Sequence, residues 1–160
     1  MVSILDSGKG RHEMLTLERA FVIAEEAHRG KYDWYGQPYI THPVRVMVKV
    51  RGERLKIIAV LHDVIEDTDW TFDMLRAEGA DDQTIHTLDC LTRREGESYG
   101  EYMKRVMSDR DASEIKICDL EDNLDITRQD NPLEERDLNR ISKYHKHYLR
   151  LKKHLYGSHK

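Results

Sequence analysis

The chain has 160 residues and carries a net charge of -4, with a pI near 6.1. This length suffices for one domain with a buried core, and the acidic balance argues against a general nucleic-acid coat or a binder of anionic membranes, while a local basic pocket is still compatible with phosphate. Cys90 and Cys118 lack the spacing of a metal site, which indicates reduced thiols and a cytoplasmic protein.

The start of the chain contains no apolar core of a signal peptide, and no run of about eighteen apolar residues occurs anywhere. We therefore expect a flexible polar lead-in over residues 1–13, a single domain over residues 14–160 and no membrane partner.

The first helical pattern begins at Met14, with Thr16 as a candidate N-cap, and ends at Gly30. Residues 31–40 come next and are aromatic, rich in turn formers and without a period. They predict an ordered loop, and aromatic side chains in a loop are typical of a lid or a wall.

His42 stands immediately before Pro43. Proline disfavours the α region for the residue before it and suits the first position of a helix, here residues 44–50. We therefore expect His42 at the mouth of that helix, held in a fixed direction. Taken alone, His42 could simply cap the helix; a second cluster downstream favours a functional role.

The second cluster lies on a segment over residues 54–66, which predicts a central helix that is apolar nearly all the way round and therefore buried. Its last turns nevertheless carry His62, Asp63, Glu66 and Asp67, which fall within an arc of about 140°. Burying carboxylates without compensation costs several kcal/mol per charge, so we expect a cation among them. A divalent metal ion is the economical candidate, because it neutralises two carboxylates and binds a neutral imidazole.

Further helical patterns follow to the end of the chain. They comprise residues 71–77 after the candidate cap Thr71, a segment after Asp81 or Asp82, one after Ser98, one from Ala112 and a long one over residues 133–155. No strand alternation, repeat or low-complexity linker occurs, so the sequence predicts an all-α domain.

The helix from Ala112 carries a third candidate group. Asp119 lies in a largely apolar segment, and Asn123 follows on the same face four residues later. Two imidazoles and two carboxylates then form one set, His42, His62, Asp63 and Asp119. Such a set suits a borderline divalent ion, with Mn²⁺ most compatible and Fe²⁺, Ni²⁺ or Zn²⁺ as alternatives. A divalent ion of this kind activates water for attack on phosphorus.

Glu66 and Asp67 lie one turn beyond the candidate ligands. They are placed to accept a proton from the attacking water or to hold the leaving phosphate's waters. The alternative is that they cap the helix end or pair with arginine. Acidic groups at a helix C-terminus are unfavourable to the dipole, which favours the functional interpretation.

Three motifs, His42-Pro43, LHDVIEDT over residues 61–68 and KICDLEDN over residues 116–123, resemble those of the HD-domain phosphohydrolases. The likeness is to the hydrolase half of the Rel/SpoT alarmone enzymes and to the small stand-alone alarmone hydrolases, and it runs from about residue 17 to residue 150. It implies an HD-domain helical bundle of about seven to nine helices. It also implies a (p)ppGpp 3′-pyrophosphohydrolase that acts on a small-molecule nucleotide.

The resemblance implies a role for each matching residue. Glu66 and Asp67 become the catalytic acidic pair, Asn123 a contact to substrate or water, and Tyr144 a wall of the nucleotide pocket. The implied manganese ligands are His42, His62, Asp63 and Asp119.

The sequence departs from this family in the aromatic loop. Asp33 and Trp34 stand where the alarmone hydrolases carry an Arg-Lys pair that contacts the nucleotide. Arg29 and Lys31 are the nearby candidates to supply that positive charge. The metal-ligand residues of the family are thus retained, whereas residues that contact guanosine differ. The difference bears on which substrate the protein binds more than on which reaction it catalyses.

Two alternatives remain open. In the first, the substrate is a 3′-phosphorylated or pyrophosphorylated RNA end, with the aromatic loop as a stacking wall and Lys104, Arg105 and Lys143 near the mouth. In the second, the chain is a non-hydrolytic nucleotide-binding regulator. Intact Glu66 and Asp67 argue against the second, because a binding protein does not need both.

Overall fold

A computed structural model describes residues 14–157, and within them the protein is built from α-helices. The helices are α1 (Leu17–Ala27), α2 (Thr41–Lys49), α3 (Glu53–Leu61), α4 (Val64–Asp67), α5 (Phe72–Ala77), α6 (Asp82–Leu91), α7 (Tyr99–Met107), α8 (Arg110–Asn123) and α9 (Glu135–Tyr156), with a 3₁₀ turn at Ile126–Arg128. The described residues contain no strand, and one isolated bridge, from Tyr32 to Pro38, closes the loop after α1. The all-α prediction is confirmed. The predicted lead-in over residues 1–13 lies outside the described residues.

Side-chain caps set the start of several helices. Thr16, Thr71 and Asp81 each accept a hydrogen bond from the backbone N–H three residues further on. Ser98 forms a reciprocal capping box with Glu101 at the start of α7. These caps satisfy N–H groups that have no acceptor within the helix, and they confirm the helix starts that the sequence predicts.

The core surrounds α3. This helix packs against α1, α2 and α6, while α8 packs against α2, α6, α7 and α9. Residues 58–61 of α3 are fully buried, which confirms the central apolar segment. Both cysteines are free, Cys90 buried and Cys118 partly buried. Within residues 14–157, no helix is both long and apolar enough to cross a membrane.

The predicted central helix over residues 54–66 is interrupted, which corrects the prediction of one continuous helix. α3 ends at Leu61, and α4 begins only at Val64. His62 Nδ1 lies 2.6 Å from the carbonyl oxygen of Ala59. In an unbroken helix the backbone N–H of Asp63 would donate to that oxygen, so the imidazole takes the place of a backbone hydrogen bond. The break sets His62 and Asp63 outside the regular helix.

His42 also differs from its expected place, because α2 begins at Thr41 and includes it. The backbone N–H groups of Thr41 and His42 donate to the carbonyl oxygens of Pro38 and Tyr39. Pro43 therefore falls in the first helical turn, where its missing N–H costs no intrahelical bond. His42 is a residue of the first turn, and it remains at the mouth of α2.

Replacing a side chain at the centre of the core tests this packing. Ile58 is fully buried, so Ile58→Ala is expected to lower the free energy of unfolding by about 2–5 kcal/mol through lost burial and a cavity. The measurement is urea unfolding followed by circular dichroism. Val48→Ala is the matched control, since Val48 is 66% exposed and should change stability by less than about 0.5 kcal/mol. Equal effects of the two substitutions would contradict the packing.

Candidate metal centre and active-site cleft

Three parts of the fold deliver polar side chains to one buried point. The first turn of α2 supplies His42, the break between α3 and α4 supplies His62 and Asp63, and the middle of α8 supplies Asp119. Both histidines and Asp119 are buried, at 3–6% exposed. Because α2 and α8 pack on each other and both contact α3, the four side chains meet inside the helical body.

The distances within this cluster are short. His42 Nε2 lies 3.1 Å from Asp119 Oδ1 and 3.6 Å from Asp63 Oδ2. His62 Nε2 lies 3.1 Å from Asp63 Oδ2 and 3.7 Å from Asp119 Oδ1. His42, His62 and Asp119 each offer one ligand atom within 4.8 Å of the others. Asp63 is not part of this mutually close group of three, but its Oδ2 lies next to both imidazoles. The structure thus places the four side chains that the sequence predicts as metal ligands in one cluster, with Asp63 at its edge.

Hydrogen bonds orient both imidazoles toward the cluster. His62 Nδ1 lies against the Ala59 carbonyl oxygen and must carry the proton, while His62 Nε2 is buried and forms no hydrogen bond with any described residue. His42 Nδ1 lies 2.7 Å from Asp122 Oδ2. In both rings Nε2 faces the cluster, and such a support through the other ring nitrogen is typical of metal-binding histidines. The donor set and the unpartnered nitrogen fit a divalent metal ion.

The charges within the cluster shift the pKa values of its histidines and of Asp119. Burial alone would lower the pKa of both His42 and His62, but the neighbouring carboxylates outweigh it and raise both values. Burial alone would raise the pKa of Asp119, but Lys116 and the two imidazoles hold it well below its ordinary value. The carboxylates therefore stay ionised, and their field attracts a cation.

Lys116 is the cation that compensates the innermost carboxylate. Its Nζ lies 2.7 Å from Asp119 Oδ2, the oxygen that does not face the histidines, and 5.2 Å from the centre of the Tyr102 ring. Burial alone would lower the pKa of Lys116, but Asp119 raises it well above the ordinary value. The ammonium is therefore charged and holds Asp119 in place.

Asp122 supports the cluster by holding the His42 ring through its Nδ1 atom. It is 3% exposed and accepts two hydrogen bonds from Arg45, at 2.7 and 3.1 Å, in addition to its bond with His42. Arg128 reaches both Asp122 and Asp33, at 3.3 Å each. Asp33 thus belongs to a partly buried ion-pair network with Arg128 and, through it, with Asp122.

A cleft of about 280 Å³ opens from this cluster to the surface. The carboxylates that line it are Asp33, Asp63, Glu66, Asp67 and Asp119. The basic side chains along its walls are Arg45, Arg93, Lys116, Arg128, Arg140 and Lys143. A cleft that combines a metal-type cluster with several cations suits a phosphorylated ligand.

Glu66 and Asp67 line this cleft at the end of α4, next to the cluster. Both side chains are exposed, but partial desolvation by the surrounding walls raises the pKa of both, and the charge of Asp63 raises it further. Glu66 Oε2 accepts a hydrogen bond of 2.8 Å from the backbone N–H of Arg93. Neither residue forms an ion pair with arginine among residues 14–157, so the alternative that they pair with arginine has no support in the structure.

The predicted substrate contacts divide into two groups. Asn123 and Tyr144 line the cleft, although the Asn123 amide already donates to the Asp119 backbone oxygen and to Oδ1 at 3.0 and 2.6 Å. Arg29 and Lys31 do not line it. Arg29 lies in the turn after α1, is exposed and pairs with Glu25, while the Lys31 ammonium donates to the backbone oxygen of Asp67.

Three residues that the sequence analysis did not single out complete the site. The Tyr39 hydroxyl donates to Asp63 Oδ2 at 2.6 Å, and Lys116 and Asp122 support Asp119 and His42 as described. The spacing of Lys116 and Asp122, three residues to either side of Asp119, was a usable signal, because such residues share a helix face. The pairing of Tyr39 with Asp63 depends on the loop's path and had no local signal.

Parts of the chain are similar in sequence to bacterial enzymes named for (p)ppGpp and GTP. It is 46% identical over 61 residues to the bifunctional (p)ppGpp synthase/hydrolase SpoT of Escherichia coli, a match that covers 35% of this chain and 8% of that protein. It is 35% identical over 89 residues to a GTP pyrophosphokinase of Streptomyces coelicolor, covering 53% of this chain and 10% of that protein. No family model matches the chain.

A solved structure of a metazoan ortholog of SpoT, described as hydrolysing ppGpp and playing a role in starvation responses, superposes with a TM-score of 0.68. The two chains are 22% identical, and the match covers 88% of this chain and 85% of that one. The all-helical fold of this chain is therefore shared with that protein, and part of its sequence is similar to SpoT. The chain spans about a tenth of the length of the curated relatives it matches.

The support of His42 by Asp122 gives a test of the metal centre. Asp122→Asn keeps the shape but removes the charge that fixes the ring, so the affinity for Mn²⁺ is expected to fall by about 10–100-fold. Isothermal titration calorimetry measures this directly. Glu121→Gln is the control, because Glu121 is the neighbouring carboxylate on α8 and lies outside the cleft. Unchanged affinity in Asp122→Asn would contradict the anchoring role.

Proposed function

We propose that the chain is a metal-dependent phosphohydrolase that removes pyrophosphate from the 3′ position of a guanosine nucleotide, (p)ppGpp. The observation that carries the proposal is the convergence of His42, His62 and Asp119, with Asp63 beside both imidazoles, in a cleft that six basic side chains also line. The resemblance to SpoT in sequence and in fold supports the same substrate.

In this proposal His42, His62, Asp63 and Asp119 hold the ion, and Mn²⁺ is the proposed metal. When bound, a divalent ion polarises the phosphoryl oxygens and lowers the pKa of water. Lys116 and Asp122 are positioning residues: the first fixes Asp119 and the second fixes His42. Tyr39 fixes Asp63 through its hydroxyl.

Glu66 and Asp67 are the proposed acid and base. In the reaction, a water oxygen forms a bond to phosphorus while the bond between phosphorus and the ribose 3′ oxygen breaks. One carboxylate takes the proton of the water, and the departing 3′ oxygen gains a proton. Their raised pKa values support this exchange, because a carboxyl group with a raised pKa is a stronger base and can carry a proton nearer neutral pH.

The residues that line the cleft can be compared with those that the RNA-end and regulator alternatives require. Of the basic residues that the RNA-end alternative uses, Lys143 lines the cleft, whereas Lys104 does not, and Arg105 is paired with Glu97 at 2.6 Å. The regulator alternative needs no proton-accepting pair, and Glu66 and Asp67 both line the cleft. A small phosphorylated nucleotide therefore fits the cleft best.

A nucleotide panel tests the proposal. Purified protein with Mn²⁺ is mixed with ppGpp, guanosine 3′-monophosphate, ATP and a 3′-phosphorylated RNA oligonucleotide, and the products are separated by anion-exchange chromatography. The expected result is pyrophosphate and GDP from ppGpp, lost in Asp63→Ala. Turnover of the RNA alone would support the RNA-end alternative. Tight binding of ppGpp without product at full metal occupancy would support the regulator.

The acidic pair gives a sharper prediction. Glu66→Gln is expected to lower kcat by about 10²–10⁴-fold, because the amide cannot exchange the proton, while Mn²⁺ affinity stays unchanged. Steady-state kinetics and calorimetry measure the two effects separately. Asp69→Asn serves as the control, since Asp69 is exposed and does not line the cleft. Full activity in Glu66→Gln would remove Glu66 from the proposed mechanism.

A further inference from the structure

The basic side chains of the cleft differ in whether they form an ion pair with a carboxylate. Arg45 and Arg128 pair with Asp122, and Lys116 pairs with Asp119. Arg140 lies 3.5 Å from Asp137. Lys143 is different, because it forms no ion pair and no hydrogen bond with any residue in the described part of the chain, and its ammonium faces aromatic rings.

Lys143 and Arg93 meet at the same ring. The Lys143 ammonium lies 4.7 Å from the centre of the Tyr99 ring, and the Arg93 guanidinium lies 5.9 Å from it. Within residues 14–157, Arg93 donates its side-chain hydrogen bonds to the backbone oxygen of Glu97 and pairs with no carboxylate. Two cations thus share one aromatic ring, and a negative charge between them would relieve their repulsion.

Tyr99 offers a third donor in this place. Its hydroxyl is buried and has no hydrogen-bond partner among the described residues. Burial raises the pKa of Tyr99, so the phenol stays protonated and able to donate. His147 and Tyr102 contact the ring edge to face, at 4.6 and 5.7 Å between centres, and hold it in position.

This group lies beside the proposed reaction centre. The backbone N–H of Arg93 donates to Glu66, and Tyr102, which contacts Tyr99, is also the ring that Lys116 faces. Arg93, Tyr99 and Lys143 line the same cleft as Asp63 and Asp119. An anion held by these three residues would therefore lie next to a phosphate at the metal cluster.

We propose that Arg93, Tyr99 and Lys143 form a subsite for a second phosphate group, the distal phosphate of a diphosphate whose proximal phosphate lies at the metal cluster. The inference rests on the proposed function and extends it to the diphosphate that is transferred to water and released as pyrophosphate. Lys143 and Arg93 neutralise the distal phosphate, and the Tyr99 hydroxyl donates to one of its oxygens. The site then prefers substrates that release pyrophosphate over substrates that release orthophosphate.

Binding of the inorganic anions tests this subsite without turnover. Pyrophosphate and orthophosphate are titrated separately into the Mn²⁺-loaded protein by calorimetry, and each is also tested as an inhibitor. Lys143→Met is expected to weaken pyrophosphate by about tenfold, the loss of one charge-assisted hydrogen bond, and to leave orthophosphate unchanged. Lys146→Met is the matched control, because Lys146 is an exposed lysine on α9 that does not line the cleft.

The outcomes separate the subsite from the proposed function. The subsite is overturned if Lys143→Met weakens the binding of pyrophosphate and orthophosphate equally. It is also overturned if Lys146→Met weakens their binding as much as Lys143→Met does. In either case Lys143 contributes only to the general positive field of the cleft. No change for either anion would overturn it as well. Selective loss of pyrophosphate binding in a protein that hydrolyses no nucleotide would support the subsite and contradict the proposed hydrolase.

Discussion

The site depends on keeping the Asp119 carboxylate ionised inside a helical core. A buried carboxylate is costly unless cations and hydrogen bonds surround it. Here Lys116 takes one oxygen at 2.7 Å, and the histidines face the other at 3.1 and 3.7 Å. The His42 ring is in turn held by Asp122. The Asp122 carboxylate is itself paired with Arg45 and Arg128. The arrangement suits a cation at the shared point, since two carboxylates and two imidazoles all present their lone pairs there.

The fold meets this requirement by interrupting the central element of the core. In an unbroken helix, the Ala59 carbonyl oxygen would accept a hydrogen bond from a backbone N–H. Here the His62 ring contacts that oxygen instead, and His62 and Asp63 lie outside the regular helix. The fully buried residues before the break anchor the segment, so its irregular end remains fixed. The loop before α2 then covers Asp63 through Tyr39 and joins the 3₁₀ turn after α8 through the pairing of Asp33 with Arg128.

The sequence predicts much of this arrangement because the relevant signals are local. Apolar periodicity locates most of the helices, and side-chain caps such as Thr16 and Ser98 fix where they begin. The break at His62 could not be predicted, because it arises from a side chain competing with the backbone. The partners that come from distant parts of the chain, such as Tyr39 with Asp63, could not be predicted either. Arg29 and Lys31 were inferred from closeness in sequence, while the cations that line the cleft come from α2, the loop after α6, α8, the 3₁₀ turn and α9.

The most direct test of the central claim is to locate the metal. Crystals grown with Mn²⁺ and measured at the manganese absorption edge give an anomalous difference map that identifies the ion. The account predicts one strong peak within about 2.3 Å of Nε2 of His42, Nε2 of His62 and carboxylate oxygens of Asp63 and Asp119. An ion bound elsewhere in the cleft, or density at the cluster without any anomalous signal at full manganese occupancy in solution, would contradict it.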